Sequence, residues 1–298
     1  MNVYINKLEH YSSMYTSVKD FSDNFLFKEN QLSYKEKLTS LNEPVDLYEY
    51  IAKRGSKKKS NFTKVASYIA KKIYKLNVPE DRLGVIFATE FGNIVDMCNL
   101  LNLAKSSTDP ISATIFPNST ISSATVTTSI ELKGKGMNIT INSGVLSFYN
   151  ALLIAKSYIE DDKLDACVVL VGDDYNQFSI EEIENTYKSF NYFLSTINGV
   201  VLSKYKNESE ENYIIKNIDI LSKDLFEIKP NDIGFDYKNS DKQFPNMGTI
   251  DTYIGPAVAF LQLLKCLDKL ENSNNIKEIK AFLLESDLIA SMLIEKEV

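Results

Sequence analysis

The sequence predicts an α/β fold, in which long buried helices alternate with strands. Two segments, Arg82–Gly92 and Leu164–Gly172, are short apolar runs closed by glycine. They lack polar alternation, as expected of strands covered on both faces. Residues 61–76 and 143–162 instead carry apolar side chains three and four positions apart, the spacing of helices with one buried face. Buried strands joined by such helices define a layered α/β architecture.

The other elements continue this alternation along the chain. After a polar region with a short apolar start (1–60), we expect helices at 94–105, after the turn Phe116–Asn118, and at 252–274. We expect strands at 137–142, 198–205 and 212–221, and two more within 279–297, separated by a brief turn at 285–287. Asn142 or Ser143 is expected to cap the helix of residues 143–162. The Gly-Lys-Gly segment 134–136 lacks the full phosphate-binding spacing and is interpreted as a plain turn.

The composition is that of one large domain, or of two smaller ones packed together. Hydrophobic residues make up 44 % of the 298 residues, enough for a sizeable core. The net charge of −7 disfavours general nucleic-acid binding. The three cysteines (Cys98, Cys167, Cys266) have no metal-binding spacing, which is typical of a reducing cytoplasm. We find no segment of signal-peptide type and no membrane-spanning run, so a cytoplasmic protein without a membrane span is expected.

Histidine is the most restrictive residue type, because it occurs once, at His10. A mechanism that needs two imidazoles is excluded. A serine–histidine–aspartate triad would have to use His10, which is far in sequence from any candidate nucleophile. We therefore expect no chemistry that depends on histidine, and no metal site or cofactor is predicted.

Four segments between Asn61 and Tyr205 together resemble the β-ketoacyl synthases, the condensing enzymes of fatty-acid and polyketide synthesis. They are LGVIFATEFG, IFPNSTISSATVTTSIELKGKGMNITI, DACVVLVGDD and STINGVVLSKY. The resemblance implies a thiolase-like layered α/β/α/β/α fold. It also implies that residues 1–205 form a ketosynthase-like N-terminal half and residues 206–298 a shortened C-terminal half, packed as one globular unit.

The segment NITINSGVLSFYNAL (138–152) corresponds to the strand and helix that carry the nucleophilic cysteine in active members of that family. Asn138, Thr140 and Ile141 match the family pattern at the front, and Ala151 and Leu152 match it at the back. The alignment without gaps then places Val145 where the cysteine would stand. The resemblance therefore implies that the strand–helix elbow is kept and its thiol lost.

The second half departs further from the family. Asp251, followed by Thr252, lies near the position of a lost histidine, and the loop of the other histidine is not recognisable. Residues 285–289 replace the glycine loop between the last two strands, which carries part of the oxyanion hole in active members. These changes together imply that the chain has no condensing activity by itself.

The resemblance leaves three functions open. The first is a non-catalytic, chain-length-factor-type subunit. It would pair with an active ketosynthase and shape the cavity for a growing chain on the phosphopantetheine of an acyl carrier protein. The second is a homodimer that binds an acyl chain or carrier protein, and the third is a serine-dependent acyltransferase using Ser143 or Ser147. The candidate residues are the cavity set Val145, Leu146, Ser147 and Phe148; the dimer-strand set Met137, Asn138, Ile139, Thr140, Ile141 and Asn142; and the carrier-docking set Lys53, Arg54, Lys57, Lys58 and Lys59.

Structural interpretations compete with these assignments. The helix of residues 143–162 is equally explained as an ordinary core helix, and Phe148 and Tyr149 as core side chains. The basic loop 53–60 is typical of a solvated loop. Cys167 is expected to be buried and inert. Asp173 and Asp174 suggest either a metal pair or, more simply, a solvated loop at a strand end.

Overall fold

The computed structural model describes residues 1–21, 37–56, 58–106, 115–187, 190–207, 211–236, 252–273 and 275–297. The strands are β1 (Tyr4–Ser12), β2 (Leu38–Thr39), β3 (Leu83–Thr89), β4 (Asn138–Asn142), β5 (Ala166–Asp173), β6 (Tyr192–Leu194), β7 (Thr196–Ser203), β8 (Tyr213–Ser222), β9 (Ile233–Asp236), β10 (Thr252–Tyr253), β11 (Glu278–Glu285) and β12 (Leu288–Lys296). The helices are α1 (Val18–Phe21), α2 (Leu47–Tyr50), α3 (Lys53–Ser56), α4 (Asn61–Ile73), α5 (Ile94–Ser106), α6 (Ser123–Leu132), α7 (Ser147–Glu160), α8 (Gln177–Thr186) and α9 (Ala257–Asn272).

Nine strands form one mixed sheet in the order β4-β3-β5-β7-β1-β8-β12-β11-β9. The two halves of the sheet meet where β1 pairs with β8 over only two residues, Tyr4 and Ile5. In the first half β4, β3 and β5 are parallel, whereas β7 is antiparallel to both β5 and β1. A second, small parallel sheet joins β10, β6 and β2.

The second half repeats the strand plan of the first with one strand fewer. The parallel pair β9–β11 and the antiparallel pairs β11–β12 and β12–β8 have the same order and directions as β3–β5, β5–β7 and β7–β1. Within the residues described, nothing corresponds to β4. The described part of the second half therefore has four strands, against five in the first half.

Two buried helices, α7 and α9, lie between the halves. Each helix contacts strands of both halves and also the other helix. Their apolar faces join one large core cluster, in which Phe148 of α7 meets Phe260 of α9 at 6.1 Å between ring centroids. A buried polar link runs through this core: the Tyr149 hydroxyl donates to Gln262 Oε1 at 2.7 Å. The side-chain amide of Gln262 donates to the Phe282 carbonyl of β11 at 2.6 Å.

The opposite face of the first half is covered by α4 and α6. Helix α4 is stabilised at its start by Ser60, whose hydroxyl accepts the Thr63 N–H. Its face packs with Phe87 and Leu170 in a second core cluster. Because α4 and α6 cover one face of these strands and α7 and α9 the other, the strands lack polar alternation, as predicted from the sequence.

Two helix starts differ from the prediction. Helix α7 begins at Ser147, and neither Asn142 nor Ser143 caps it, because Asn142 Nδ2 instead donates to the Glu90 carbonyl. Helix α9 begins at Ala257 and not at residue 252, because Gly255 adopts a left-handed φ of 53° that ends the preceding extended segment.

Candidate functional site

The candidate site lies at the elbow between β4 and α7. Four residues connect the strand to the helix: Ser143, Gly144, Val145 and Leu146. Gly144 turns the chain with a left-handed φ of 59° in a place where a Cβ would meet no atom, so the backbone conformation alone favours glycine. Val145 is fully buried. The structure thus places Val145 in the connection between β4 and α7, two residues before the helix begins.

Ser147 fastens this elbow to the neighbouring strand. Its hydroxyl lies 2.7 Å from the Thr89 carbonyl and 2.6 Å from the Gly144 carbonyl, and it accepts the Ser143 N–H at 2.8 Å. Ser143 is exposed, and its hydroxyl accepts a hydrogen bond from Asn150. The described contacts of both hydroxyls include no imidazole or carboxylate that could act as a base.

The single histidine has its partners elsewhere in the sheet. His10 stacks on Phe21 at 3.9 Å, and its Nδ1 lies 2.6 Å from the Asn198 side-chain oxygen. Burial lowers the pKa of His10 to about 3, although the Asn198 hydrogen bond opposes that shift. The imidazole is therefore neutral at physiological pH and serves the core of the first half.

Beside the elbow, the ends of β3 and β5 form a buried acidic cluster. Because the two strands are parallel, their last residues, Thr89 and Asp173, lie at the same end of the sheet. Asp173 Oδ1 accepts hydrogen bonds from the Thr89 hydroxyl and from three backbone N–H groups, those of Glu90, Phe91 and Gly92. Burial nevertheless raises the pKa of Asp173 to about 6.

Glu90 connects this cluster to the second half of the molecule. The Tyr253 hydroxyl, just before α9, donates to Glu90 Oε2 at 2.6 Å. Burial, and then the nearby Asp173 carboxylate, raise the pKa of Glu90 to about 8. Glu285, in the segment that replaces the family's glycine loop, adds to that effect.

Asp173 and Asp174 correct the expectation of a solvated strand end, because both side chains are buried. The two carboxylates also have different hydrogen-bond partners. Asp173 accepts from Thr89 and the three N–H groups after it, whereas Asp174 Oδ1 accepts the Leu41 N–H at 3.4 Å. Burial raises the pKa of Asp174 to about 6. The part of the chain that the structure describes contains no group of three or more histidine, cysteine, aspartate or glutamate residues arranged to hold a metal ion.

The predicted dimer strand lies at the free edge of the nine-stranded sheet. β4 pairs only with β3 among the described strands, and all of its residues keep some exposure. Met137, just before β4, directs its carbonyl to the Val85 N–H of β3. Because alternate residues of a parallel strand face opposite neighbours, Asn138, Thr140 and Asn142 direct their backbone groups to the free edge, whereas Ile139 and Ile141 bond to β3.

The predicted cavity residues lie within the core. Val145, Ser147 and Phe148 are fully buried and Leu146 is 6 % exposed. Two cavities in the described regions lie elsewhere. One of them, about 560 Å³, is lined by Lys53, Arg54, Gly55 and Lys58 of the basic loop.

The rest of the basic loop is close to this cavity. Lys59 lies 3.9 Å from Glu131, and the Lys58 carbonyl accepts a hydrogen bond from Asn118. Lys57 and Asp251 lie outside the described residues. Cys167 and Cys266 are buried, and burial raises the pKa of both thiols far above the usual range. Among the described helices, none is long and apolar enough to cross a membrane.

Glu90 and Tyr253 belong to the site, although neither was predicted from the sequence. Glu90 follows a buried strand directly, the place where polar side chains collect at the edge of a parallel sheet. The position of Glu90 in the sequence could therefore have identified it as a candidate site residue. Tyr253 comes from the other half of the chain, and the packing of α9 against β5 and α7 brings the segment before α9 to Glu90.

The whole chain superposes on solved ketosynthase structures, whereas no family model and no curated protein matches its sequence. It matches the ishigamide ketosynthase/chain length factor with a TM-score of 0.76 at 14 % identity, covering 100 % of both chains. It matches a β-ketoacyl synthase from Burkholderia phymatum STM815 with a TM-score of 0.71 at 10 % identity, again over 100 % of both chains.

A third match includes a carrier protein. It is a type II polyketide acyl-carrier protein in complex with its ketosynthase bound to the hexaketide, matched with a TM-score of 0.70 at 10 % identity over 99 % of both chains. At such identities the likeness establishes the fold. The chain therefore has the thiolase-like fold of the β-ketoacyl synthases and chain length factors, as its sequence predicted.

Proposed function

We propose that the chain is a non-catalytic, ketosynthase-like subunit that pairs with an active ketosynthase in polyketide or fatty-acid-like synthesis. The observation that carries the proposal is the elbow itself. Val145 occupies its apex, fully buried, beside a sheet edge that is open for pairing. The neighbouring structures that contain a ketosynthase with a chain length factor support this assignment.

The lack of activity follows from what a condensation needs. A thiolate must take the acyl chain, imidazoles must assist the decarboxylation of the malonyl unit, and N–H groups must hold the oxyanion. Valine cannot be acylated, and the single imidazole faces Asn198 and Phe21 within the sheet. Removing the nucleophile or the base of a hydrolase costs ~10⁶ in rate. The subunit is thus expected to contribute shape and contacts to its complex.

The surface available for pairing is broader than the edge strand. Helix α5 carries several large apolar side chains, yet none of its residues is buried. Nearby on α6, Val126 and Ile130 are 46 % and 72 % exposed. An open strand edge together with exposed apolar helix faces is typical of an interaction surface. A second condensing-type subunit that continues the sheet across β4 would cover the strand edge.

The acyl cavity would be formed mainly by the complex with the partner and not within the single chain. Val145, Leu146 and Phe148 are closed within the core of the single chain. The growing acyl chain would therefore lie on the partner's side of the interface, with the closed elbow limiting its extent. The cavity at Lys53, Arg54 and Lys58 is the proposed docking site for the acidic carrier protein, on the basis of its charge.

A homodimer that binds an acyl chain or a carrier protein is the second candidate, because the open edge of β4 also fits a second copy of this chain. The serine-dependent acyltransferase is less well supported. The Ser147 hydroxyl is buried between two carbonyls and one N–H, and the described contacts of Ser143 offer no base.

The pairing proposal is tested by Thr140→Pro. The N–H of Thr140 faces the free edge, so proline removes a donor from the pairing edge while the bonds to β3 remain. We expect co-purification with the co-expressed active ketosynthase to fall by at least about tenfold. Thr140→Val is the matched control, because both variants lose the side-chain contact with Thr125. It should pair normally.

Two results would contradict the proposal. Equal recovery of the Thr140→Pro and wild-type complexes would show that β4 is not the interface. A stable homodimer that takes up no ketosynthase, measured by analytical ultracentrifugation, would favour the second candidate function.

A further inference from the structure

The acidic cluster beside the elbow contains an unequal pair of carboxylate oxygens. Asp173 Oδ1 has four hydrogen-bond donors, whereas Asp173 Oδ2 is buried and finds no partner among the described residues. A buried carboxylate oxygen without a donor is costly. The cluster therefore lacks one hydrogen bond in its ionised form.

Glu90 is placed to supply that bond. A Cβ built on Gly255 would lie 2.6 Å from the Tyr175 hydroxyl, 3.1 Å from Asp173 Oδ2 and 3.3 Å from Glu90 Oε2, so the two carboxylates and this hydroxyl surround one point beside the start of α9. Two ionised carboxylates at such close quarters repel each other strongly. One proton removes the repulsion and gives Asp173 Oδ2 a donor.

We propose that Glu90 and Asp173 share one proton, which closes the contact between the two halves of the molecule at the elbow. The proton resides on Glu90, because the four donors on Asp173 Oδ1 favour the ionised form of that residue. The Tyr253 hydroxyl, bonded to Glu90 at 2.6 Å, extends the link to the segment before α9. On the other side, Thr89 joins Asp173 through its hydroxyl and Ser147 through its carbonyl.

Among the described residues, the groups that face Glu90 from neighbouring elements do not supply a compensating positive charge. Asp173 faces it from β5, Tyr253 from β10 and Glu285 from the end of β11. The Tyr175 hydroxyl, from the segment after β5, lies at the same point. Tyr187, after α8, interacts with both Glu90 and Glu285. Deprotonation of Glu90 would therefore place a second negative charge in an acidic, buried site, and would loosen the start of α9.

The stability of the protein should then depend on pH in a defined window. The pKa of Glu90 is raised from an unfolded value of 4.5 to about 8. Its stabilising effect is complete below pH 4.5 and is lost progressively as the pH rises towards 8, because the unfolded chain releases the proton first.

Glu90→Gln tests the proposal in thermal unfolding between pH 5 and pH 8.5. Glutamine keeps a donor for Asp173 Oδ2 and an acceptor for Tyr253, but it does not titrate. We expect the Tm of the wild type to fall relative to that of Glu90→Gln as the pH rises, by at least about 5 °C over this range. Glu227→Gln, an exposed control, should follow the wild type. Parallel curves for the wild type and Glu90→Gln would overturn the proposal.

A measurement on the wild type covers the case in which Glu90→Gln fails to fold. At pH 7 the folded protein should show the infrared carbonyl stretch of a protonated carboxylic acid, and unfolding at the same pH should remove it. Absence of that band in the folded protein would rule out the shared proton. Neither experiment depends on a partner subunit, so both outcomes are independent of the proposed function.

Discussion

The two halves of the sheet share one strand plan, but they differ in what surrounds it. The first half has five strands, with α4 and α6 on its outer face and α7 on its inner face. The second half has four strands with α9 on its inner face, and the described residues place no helix on its outer face. There Phe282, Leu284 and Ile289 form only a small cluster with Phe226.

The two halves are held together by the helices that lie between them. Helix α7 of the first half and helix α9 of the second half pack against each other. Their apolar side chains supply the core that joins the two halves. The nine-stranded sheet ends at β4 in the first half and at β9 in the second half, among the described strands.

The largest expected effect tests whether the halves fold as one unit. Phe148→Ala on α7 and Phe260→Ala on α9 each remove a fully buried ring from the same contact. Each should lower the free energy of unfolding by about 3–5 kcal/mol. Urea unfolding of both variants should show a single shared transition, and the double variant should be non-additive because the rings touch. Two separate transitions would show that the halves are independent.

His10, in the first half, is expected to make the stability of the protein depend on pH. The pKa of this histidine is lowered to about 3, so its neutral form stabilises the fold fully above pH 6.5. As the pH falls from 6.5 towards 4, the unfolded chain takes up a proton that the folded chain refuses. Relative to His10→Gln, the wild type should lose on the order of 2–4 kcal/mol over that range.

The acid-side loss from His10 is opposite in sign to the effect expected at Glu90. Denaturant unfolding at pH 4, 5 and 6.5 measures it. Since the chain has one histidine, no other imidazole contributes. Curves for the wild type and His10→Gln that stay parallel would show that His10 is not held neutral in the fold.

A smaller effect is expected at the polar link between the central helices. Tyr149→Phe leaves the Gln262 side-chain oxygen buried without its 2.7 Å donor. The cost should be about 1–3 kcal/mol, measured by denaturant unfolding. Tyr158→Phe, on the same helix but partly exposed, is the matched control and should change little. Equal effects of the two substitutions would mean that the link does not join the halves.

Much of the fold could be predicted from the sequence, because the buried strands and central helices carry strong periodic signals. The assignment of Val145 to the nucleophile position rests on motif residues on both sides of it and stays a prediction. The start of α7 could not be predicted, since Ser147 bonds to the Thr89 carbonyl of another strand and displaces the expected caps. The acidic cluster was missed for a similar reason: Glu90 and Tyr253 are 163 residues apart and meet only in the folded chain.

The smallest effect on stability is expected at Val145. Val145→Cys is nearly conservative in volume, so the free energy of unfolding should change by less than about 1.5 kcal/mol. It also places a thiol at the elbow. We expect this variant to form no condensation product, since no imidazole lies among the described contacts of the elbow.

The central claim is tested most directly by incubating the purified chain, alone, with acyl and malonyl thioesters of an acyl carrier protein. Intact-mass spectrometry would detect an acyl adduct on the chain, and chromatography with mass detection would find a condensed product. We expect neither for the wild type, and product formation only after an active ketosynthase is added. Carbon–carbon bond formation by the chain alone would contradict it.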